Sequence, residues 1–213
     1  MLIRKHFDNR EEWLLGRGQG IGASDAGAII GVSPWMTASD LWQFKTGAKK
    51  QKDISDNEAV SAGVRLEPAL REMYRASHPD YSVAYYPFDI LYQSERPYIF
   101  ATLDGEITTA DGRRGVLEIK TATPNSRQAW ESWAGKIPNQ YLAQCTHQLL
   151  STGFDFVDLY AHLTDVTANE VIIRTYHIER VDAEADMEYL LAEEEKFWLM
   201  VMNKEIPPVK LSL

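Results

Sequence analysis

Two hydrophobic periods alternate along this chain. From Asp8 to Leu15 (DNREEWLL) a capping residue precedes good helix formers, which predicts a short helix. Ser24 to Ile30 (SDAGAII) predicts a second, capped by Ser24 and ended near Gly31. Thr37 to Phe44 (TASDLWQF) predicts a third, closing at Gly47. Ala48 to Asn57 (AKKQKDISDN) is polar and charged and reads as a mobile loop. Apolar or small residues return at helical spacing from Glu58 to Ala76, and Pro68 within this stretch is expected to kink or split the helix.

The period then changes to that of strands. Tyr81 to Tyr92 is rich in aromatic and β-branched residues. Ile99 to Ile107 and Gly115 to Ile119 read as two strands joined around Asp111-Gly112, a hairpin signal. Helices are predicted over Asn125–Ala134 and Asn139–Ser151, strands over Phe156–Leu163 and Glu170–Ile178, and a long amphipathic helix over Ala183–Met202, ended before Pro207-Pro208. The expected architecture is α/β, a mixed central sheet flanked by helices, with more helix early and late.

Composition narrows this. A chain of 213 residues, 45% hydrophobic and 25% charged, fits one globular domain. No apolar run approaches the roughly 18 residues of a membrane span, and the N-terminal residues lack a signal-like apolar region, so the expected compartment is the cytoplasm. Cys145 is the single cysteine, which excludes an intramolecular disulfide and a self-contained iron–sulfur site. The net charge of -9 weighs against sequence-independent binding to phosphate backbones. Carboxylates that gather cations for a phosphodiester reaction would account for part of that charge. Lys45, Lys49, Lys50 and Lys52 also fall close together, as a solvated loop or a DNA-contacting arm.

The informative segments are Leu103-Asp104-Gly105-Glu106-Ile107 and Val116-Leu117-Glu118-Ile119-Lys120. Residues two apart on a strand share a face, so Glu118 and Lys120 project together while Ile119 points into apolar packing. Pairing across the turn brings Asp104, on the preceding strand, to the same face. Two carboxylates and an amine then meet at one point of a sheet. Hard cations such as magnesium favour oxygen ligands of this kind, and manganese suits them too. A lysine beside the metal can position or deprotonate the attacking water and stabilise charge on phosphate. The bland reading of Glu–x–Lys is a solvated strand face. His147, His162 and His177 lack zinc-motif spacing and read as packed or surface histidines. Trp130, Trp133 and Trp198 read as core.

The pattern Asp–x13–Glu–x–Lys resembles that of the PD-(D/E)XK nucleases, and in particular the phage lambda exonuclease family, also called the YqaJ-type viral recombinases. Arg17-x3-Ile21-Gly22-Ala23-Ser24-Asp25 resembles that family's segment for the terminal 5′ phosphate, and Gly31-Val32-Ser33-Pro34-Trp35 also has its look. Gly63-x3-Glu67-Pro68 resembles the helix that offers a further acidic residue, Glu67. Pro138-x2-Tyr141-x2-Gln144 resembles the helix that lends a tyrosine and a glutamine, with Gln148 a weaker candidate one turn on.

The resemblance implies a single nuclease domain over 1–213, helical to about residue 77 and catalytic from about 78. It implies a magnesium-dependent deoxyribonuclease of the alkaline exonuclease type, in which Asp104 and Glu118, with the Ile119 carbonyl, hold one ion and Asp104 shares a second. Lys120 would orient water; Glu67 and Gln144 would complete the shell; Arg17, Ser24, Tyr141 and Trp35 would touch DNA, though Trp35 reads equally as core. The implied activity is 5′-to-3′ digestion of duplex DNA ends to mononucleotides, leaving a 3′ tail. A ring-shaped homotrimer, a single-strand annealing partner and a phage or prophage setting in a bacterial host follow from the same resemblance. The rival readings are an endonuclease of the superfamily and a non-catalytic DNA-end-binding module.

Overall fold

A computed structural model describes residues 1–50 and 57–208. Most of the Ala48–Asn57 stretch read as a loop, Lys52 included, lies outside the described residues. In chain order the elements are β1 (Leu2–His6), α1 (Arg10–Arg17), β2 (Ile21–Gly22), a 3-10 turn at Ala23–Asp25, α2 (Ala26–Ile30), α3 (Ala38–Lys45), α4 (Glu58–Ser77), β3 (Ser82–Ala84), β4 (Asp89–Gln93), β5 (Ile99–Ala101), β6 (Gly105–Thr108), β7 (Arg114–Ala122), α5 (Arg127–Glu131), α6 (Asn139–Thr152), β8 (Phe156–Asp165), β9 (Glu170–Glu179), a second 3-10 turn and α7 (Glu184–Asn203).

These strands form two mixed sheets. The larger runs β3-β6-β7-β8-β9 and is antiparallel except where β7 and β8 lie parallel. The smaller runs β1-β4-β5-β2. Alternation along β7 sorts its side chains between two cores. Val116 packs with Leu159, Cys145 and Leu149 on the α6 side, whereas Leu117 and Ile119 pack with Leu70 and Tyr74 of α4 on the other. Glu118 and Lys120 share the Val116 face, so they point towards α6.

Several expectations need correction. Ile99–Ile107 is not one strand: β5 pairs in the smaller sheet and β6 in the larger, and the chain changes sheets between them. Asp104 therefore lies in the bend before β6, not within a strand. Tyr81–Tyr92 divides in the same way into β3 and β4. Ser24 does not cap a helix, since it sits inside the 3-10 turn, where the Asp25 carboxylate accepts the Gly22 N–H at 3.0 Å. Helix α1 is capped by Asn9, one residue later than Asp8. Pro68 does not split α4, which runs unbroken; the proline is exposed, where water can take the carbonyl it leaves unbonded. Strand β1 was not expected at all. The third helix is where expected, and Thr37 caps it, with Thr37 and Asp40 satisfying each other's backbone N–H groups.

Helix α6 is fixed from behind by a buried pair. His147 Nδ1 donates to Glu194 of α7 at 2.6 Å and Nε2 donates to the Phe100 carbonyl at 2.8 Å; both side chains are fully buried. Two acceptors facing two ring nitrogens require both to be protonated. Burial alone would lower the imidazole pKa, but the Glu194 carboxylate outweighs it and holds the group above its usual value. A raised folded-state pKa gives stabilisation that is complete below the unfolded histidine value of about 6.5 and lost as pH rises through the folded value. The gap in melting temperature between the wild-type protein and the neutral double variant H147Q/E194Q is expected to narrow as pH rises from about 6 to 10. Scanning calorimetry would check this; a constant gap would show that the pair is not ionised. Among the described residues no helix is long and apolar enough to cross a membrane.

Candidate active site

The β6–β7 hairpin turns at Gly112, which adopts φ 85°, and pairs Gly105 with Leu117. Continuing that register by one residue sets Asp104 level with Glu118. The Asp104 carboxylate accepts the Ile119 N–H at 2.8 Å, which locks the bend onto β7.

Glu118 is almost wholly buried, at 2% exposure, and its charge is met by side chains. Lys120 Nζ stands 2.6 Å from Oε1. Gln144 Nε2 donates to the same oxygen at 2.6 Å and Gln148 Nε2 to Oε2 at 2.5 Å. Tyr141, Gln144 and Gln148 lie three and four residues apart and so share one face of α6. The Tyr141 ring receives the Lys120 ammonium at 5.2 Å from its centroid. Beyond it stands Trp35, 6.0 Å away between ring centroids and 70% exposed. Core packing of Trp35 is therefore excluded, while Trp133 is core, as expected.

From the opposite side α4 brings Glu67. Gly63, one turn earlier, allows the approach: a Cβ there would lie 2.9 Å from Thr121 Oγ1 of β7. Arg71, only 6% exposed, donates from Nη2 to Glu67 at 2.7 Å and from Nε to the Asp104 carbonyl at 2.5 Å. Its guanidinium lies over the Tyr85 ring at 3.8 Å. The sequence reading missed Arg71. Its signal was present, since it stands four residues after Glu67 on one helix face, but its second contact crosses 33 residues to a backbone atom.

Crowding shapes the electrostatics. Burial, then Glu118 and Glu67, push the Asp104 carboxyl well above its usual range, with Lys120 and the Ile119 N–H opposing. Burial also raises Glu67, Arg71 opposing and Glu118 adding to it. For Lys120, burial pulls the ammonium down, but Glu118 and Asp104 outweigh it and hold it above its usual value. In this arrangement the Lys120 ammonium is paired with the Glu118 carboxylate. Among the described residues no three His, Cys, Asp or Glu side chains are already gathered as a metal cage.

Arg17 and Ser24 line a cleft of about 780 Å³ together with Arg10, Trp13, Asp25, Lys45, Lys49 and Lys50. Arg17 Nη2 is 3.5 Å from Ser24 Oγ, and the guanidinium lies over Trp13 at 4.6 Å. Burial lowers the Arg17 pKa, while Asp25, Asp104 and Glu118 pull it back up, so cleft and carboxylates share one field. Lys45 is not a solvated loop residue: it pairs with Asp25 at 2.8 Å and is 10% exposed.

The model of the YqaJ-like viral recombinase domain matches residues 12–155, which contain every one of these side chains except Arg10. The chain belongs to this family. It is 30% identical over 198 residues to the uncharacterized protein YqaJ of Bacillus subtilis strain 168, a match covering 93% of this chain and 58% of that relative's length. The YqaJ-like fold is similar to the crystal structure of the alkaline exonuclease LHK-Exo from Laribacter hongkongensis, with a TM-score of 0.66, 18% identity and coverage of 92% and 94% of the two chains. The dAMP complex of LHK-Exo gives 0.67 and 19% at the same coverage. A phage-related exonuclease from Haemophilus somnus 129PT gives 0.51 and 14%, covering 87% and 96%. The chain thus shares the fold of these solved structures, and the architecture is α/β, mixed sheet flanked by helices, as expected.

Arg71 is a buried cation between two parts of this YqaJ-like site, and removing one partner of such a pair strands the other. Arg71→Met is expected to lower the free energy of unfolding by about 3 kcal/mol, measured by urea denaturation. A loss below about 0.5 kcal/mol would show that the pair contributes little.

Proposed function

We propose that this protein is a divalent-metal-dependent nuclease that digests duplex DNA from its 5′ ends. The observation that carries the proposal is the convergence of Glu67, Asp104, Glu118 and Lys120, with the Asp104 and Glu118 charges reaching Arg17 in a cleft that Ser24 also lines. Membership of the YqaJ-like viral recombinase family supports it, as does likeness of fold to proteins described as exonucleases, one of them in complex with dAMP.

The donor set fits a hard cation. Glu67, Asp104 and Glu118 offer only oxygen, and their mutual crowding, seen in the raised Asp104 and Glu67, is the condition a divalent ion relieves. Asp104 and Glu118, with the Ile119 carbonyl, would hold one magnesium or manganese ion, and Asp104 with Glu67 a second. Bound there, the metal would polarise the phosphate and lower the pKa of an attacking water.

The chain's own residues do the rest. The Lys120 ammonium, a donor in this setting, orients water and offsets charge growing on the phosphate. Gln144 exchanges its bond to Glu118 for that water. Arg17 and the Ser24 hydroxyl take the terminal 5′ phosphate, a geometry suited to charge-assisted bonds. Lys49 and Lys50, on the cleft wall, follow the strand backbone. Trp35 stacks on the exposed end of the duplex, and Tyr141 carries its ring contact towards Lys120. Concentrating cations in one cleft of an acidic chain reconciles the net charge of -9 with a DNA substrate. A homotrimeric ring, a single-strand annealing partner and a cytoplasmic phage or prophage role belong to the same proposal.

Linear duplex DNA with magnesium is expected to yield mononucleotides while a closed circle survives. Asp104→Asn is expected to abolish release with unchanged melting temperature. Lys120→Ala is expected to slow it by about 10²–10³-fold with a lower melting temperature, because the buried Glu118 loses its ion-pair partner. Near-normal activity in either would refute the assignment. Cutting of the circle would indicate an endonuclease, and end binding without cleavage a binding module.

A separate comparison addresses the cleft. Wild-type protein is expected to favour 5′-phosphorylated over 5′-hydroxyl ends, and Arg17→Ala to erase a preference of about 10–100-fold. An Arg17→Ala protein that kept the preference would move the phosphate pocket elsewhere.

A further inference from the structure

Gln148 is the weaker of the two glutamine candidates that the sequence offers on α6, yet its surroundings are unusual. It is completely buried on α6, and its Nε2 donates to Glu118 Oε2 at 2.5 Å. Its own Oε1 is buried without a hydrogen-bond partner among the described residues. Buried amides normally satisfy both ends. Turning this amide over would face its oxygen to a carboxylate oxygen, so the observed orientation is the one that Glu118 enforces. One polar atom is left unmet in order to keep a donor on Oε2.

The other carboxylate oxygen is held differently. Oε1 takes Gln144 and Lys120, both half-buried and on the open side of the site. Those two donors are partly exposed, and Gln148 is not exposed at all. The neighbouring contact on α6 reinforces this: His147, next to Gln148, is pinned to Glu194.

We infer that Gln148 is a positioning residue that anchors the inner oxygen of Glu118 and so leaves Oε1 as the oxygen presented to a divalent cation. This rests on the metal-dependent reading given above. A carboxylate anchored at one oxygen cannot rotate or close on the ion with both, which fixes the ligand's position before metal arrives. Donors behind metal ligands typically change affinity by about 10–100-fold when lost.

The test is titration calorimetry of the full chain with manganese alone, without DNA. Gln148→Met, which keeps the volume and removes the donor, is expected to bind Mn²⁺ about 10–100-fold more weakly. Gln148→Asn, which keeps an amide too short to reach Oε2, is expected to do the same and serves if the methionine variant does not fold. Both should lower kcat with little change in KM for DNA. Thr152→Val is the packing control: it should lower the melting temperature and leave Mn²⁺ affinity unchanged. Wild-type affinity in the Gln148 variants would overturn the inference while leaving the metal reading intact. An equal loss in Thr152→Val would overturn it by assigning the effect to packing. No Mn²⁺ uptake by the wild-type protein would overturn the metal reading and this inference together.

Discussion

A carboxylate buried in the face of a sheet must be met by donors, or the fold would not tolerate its charge. Glu118 imposes that constraint, and much of the molecule answers it. The sheet itself supplies one donor, Lys120, two residues along the same strand. The others come from α6, which must therefore lie across β7 with its Tyr141, Gln144 and Gln148 face turned inward. The rear of α6 is then tied to α7 by His147 and Glu194 and to β5 through the Phe100 carbonyl. A single charge on β7 thus sets the position of the main helix layer.

The second charged anchor works from the other side of the sheet. Arg71 joins a helix, α4, to the bend that carries Asp104, so the two acidic residues that flank Glu118 are set by one guanidinium. Lysine could not serve both, because the two bonds use separate nitrogens of a planar fork. The close crossing of α4 over β7 at Gly63 makes this reach feasible. Glu67, Asp104 and Glu118 are balanced by Lys120 and Arg71, which leaves the centre short of positive charge and open to a cation.

Charge is also segregated at longer range. The chain is acidic as a whole, but Arg10, Arg17, Lys45, Lys49 and Lys50 line one cleft. Arg17, on the lining of that cleft, feels the charges of Asp104 and Glu118. Stacking on Trp13 orders the guanidinium without using its hydrogen-bond donors, which leaves them for a ligand.

The sequence alone determined whatever depends on local rules. The hairpin around Asp111-Gly112 follows from turn chemistry, and with it the meeting of Asp104, Glu118 and Lys120, because strand register and alternation carry that information. The helix α3, the end of α2 at Gly31 and the two long strands β8 and β9 were legible for the same reason. Tertiary structure decided what depends on distant partners. Nothing in the apolar run from Ile99 to Ile107 tells that the chain leaves one sheet and enters another at Asp104, since both halves are equally suited to strands. Arg71 looks like an ordinary helix cation until the Asp104 carbonyl arrives beside it. Trp35 was ambiguous because a tryptophan's burial is fixed by what packs on it, and here its ring meets Tyr141 while most of the residue is exposed. Gln148 could be ranked only once Glu118 was seen to need a donor at each oxygen, a requirement that burial creates and sequence does not express.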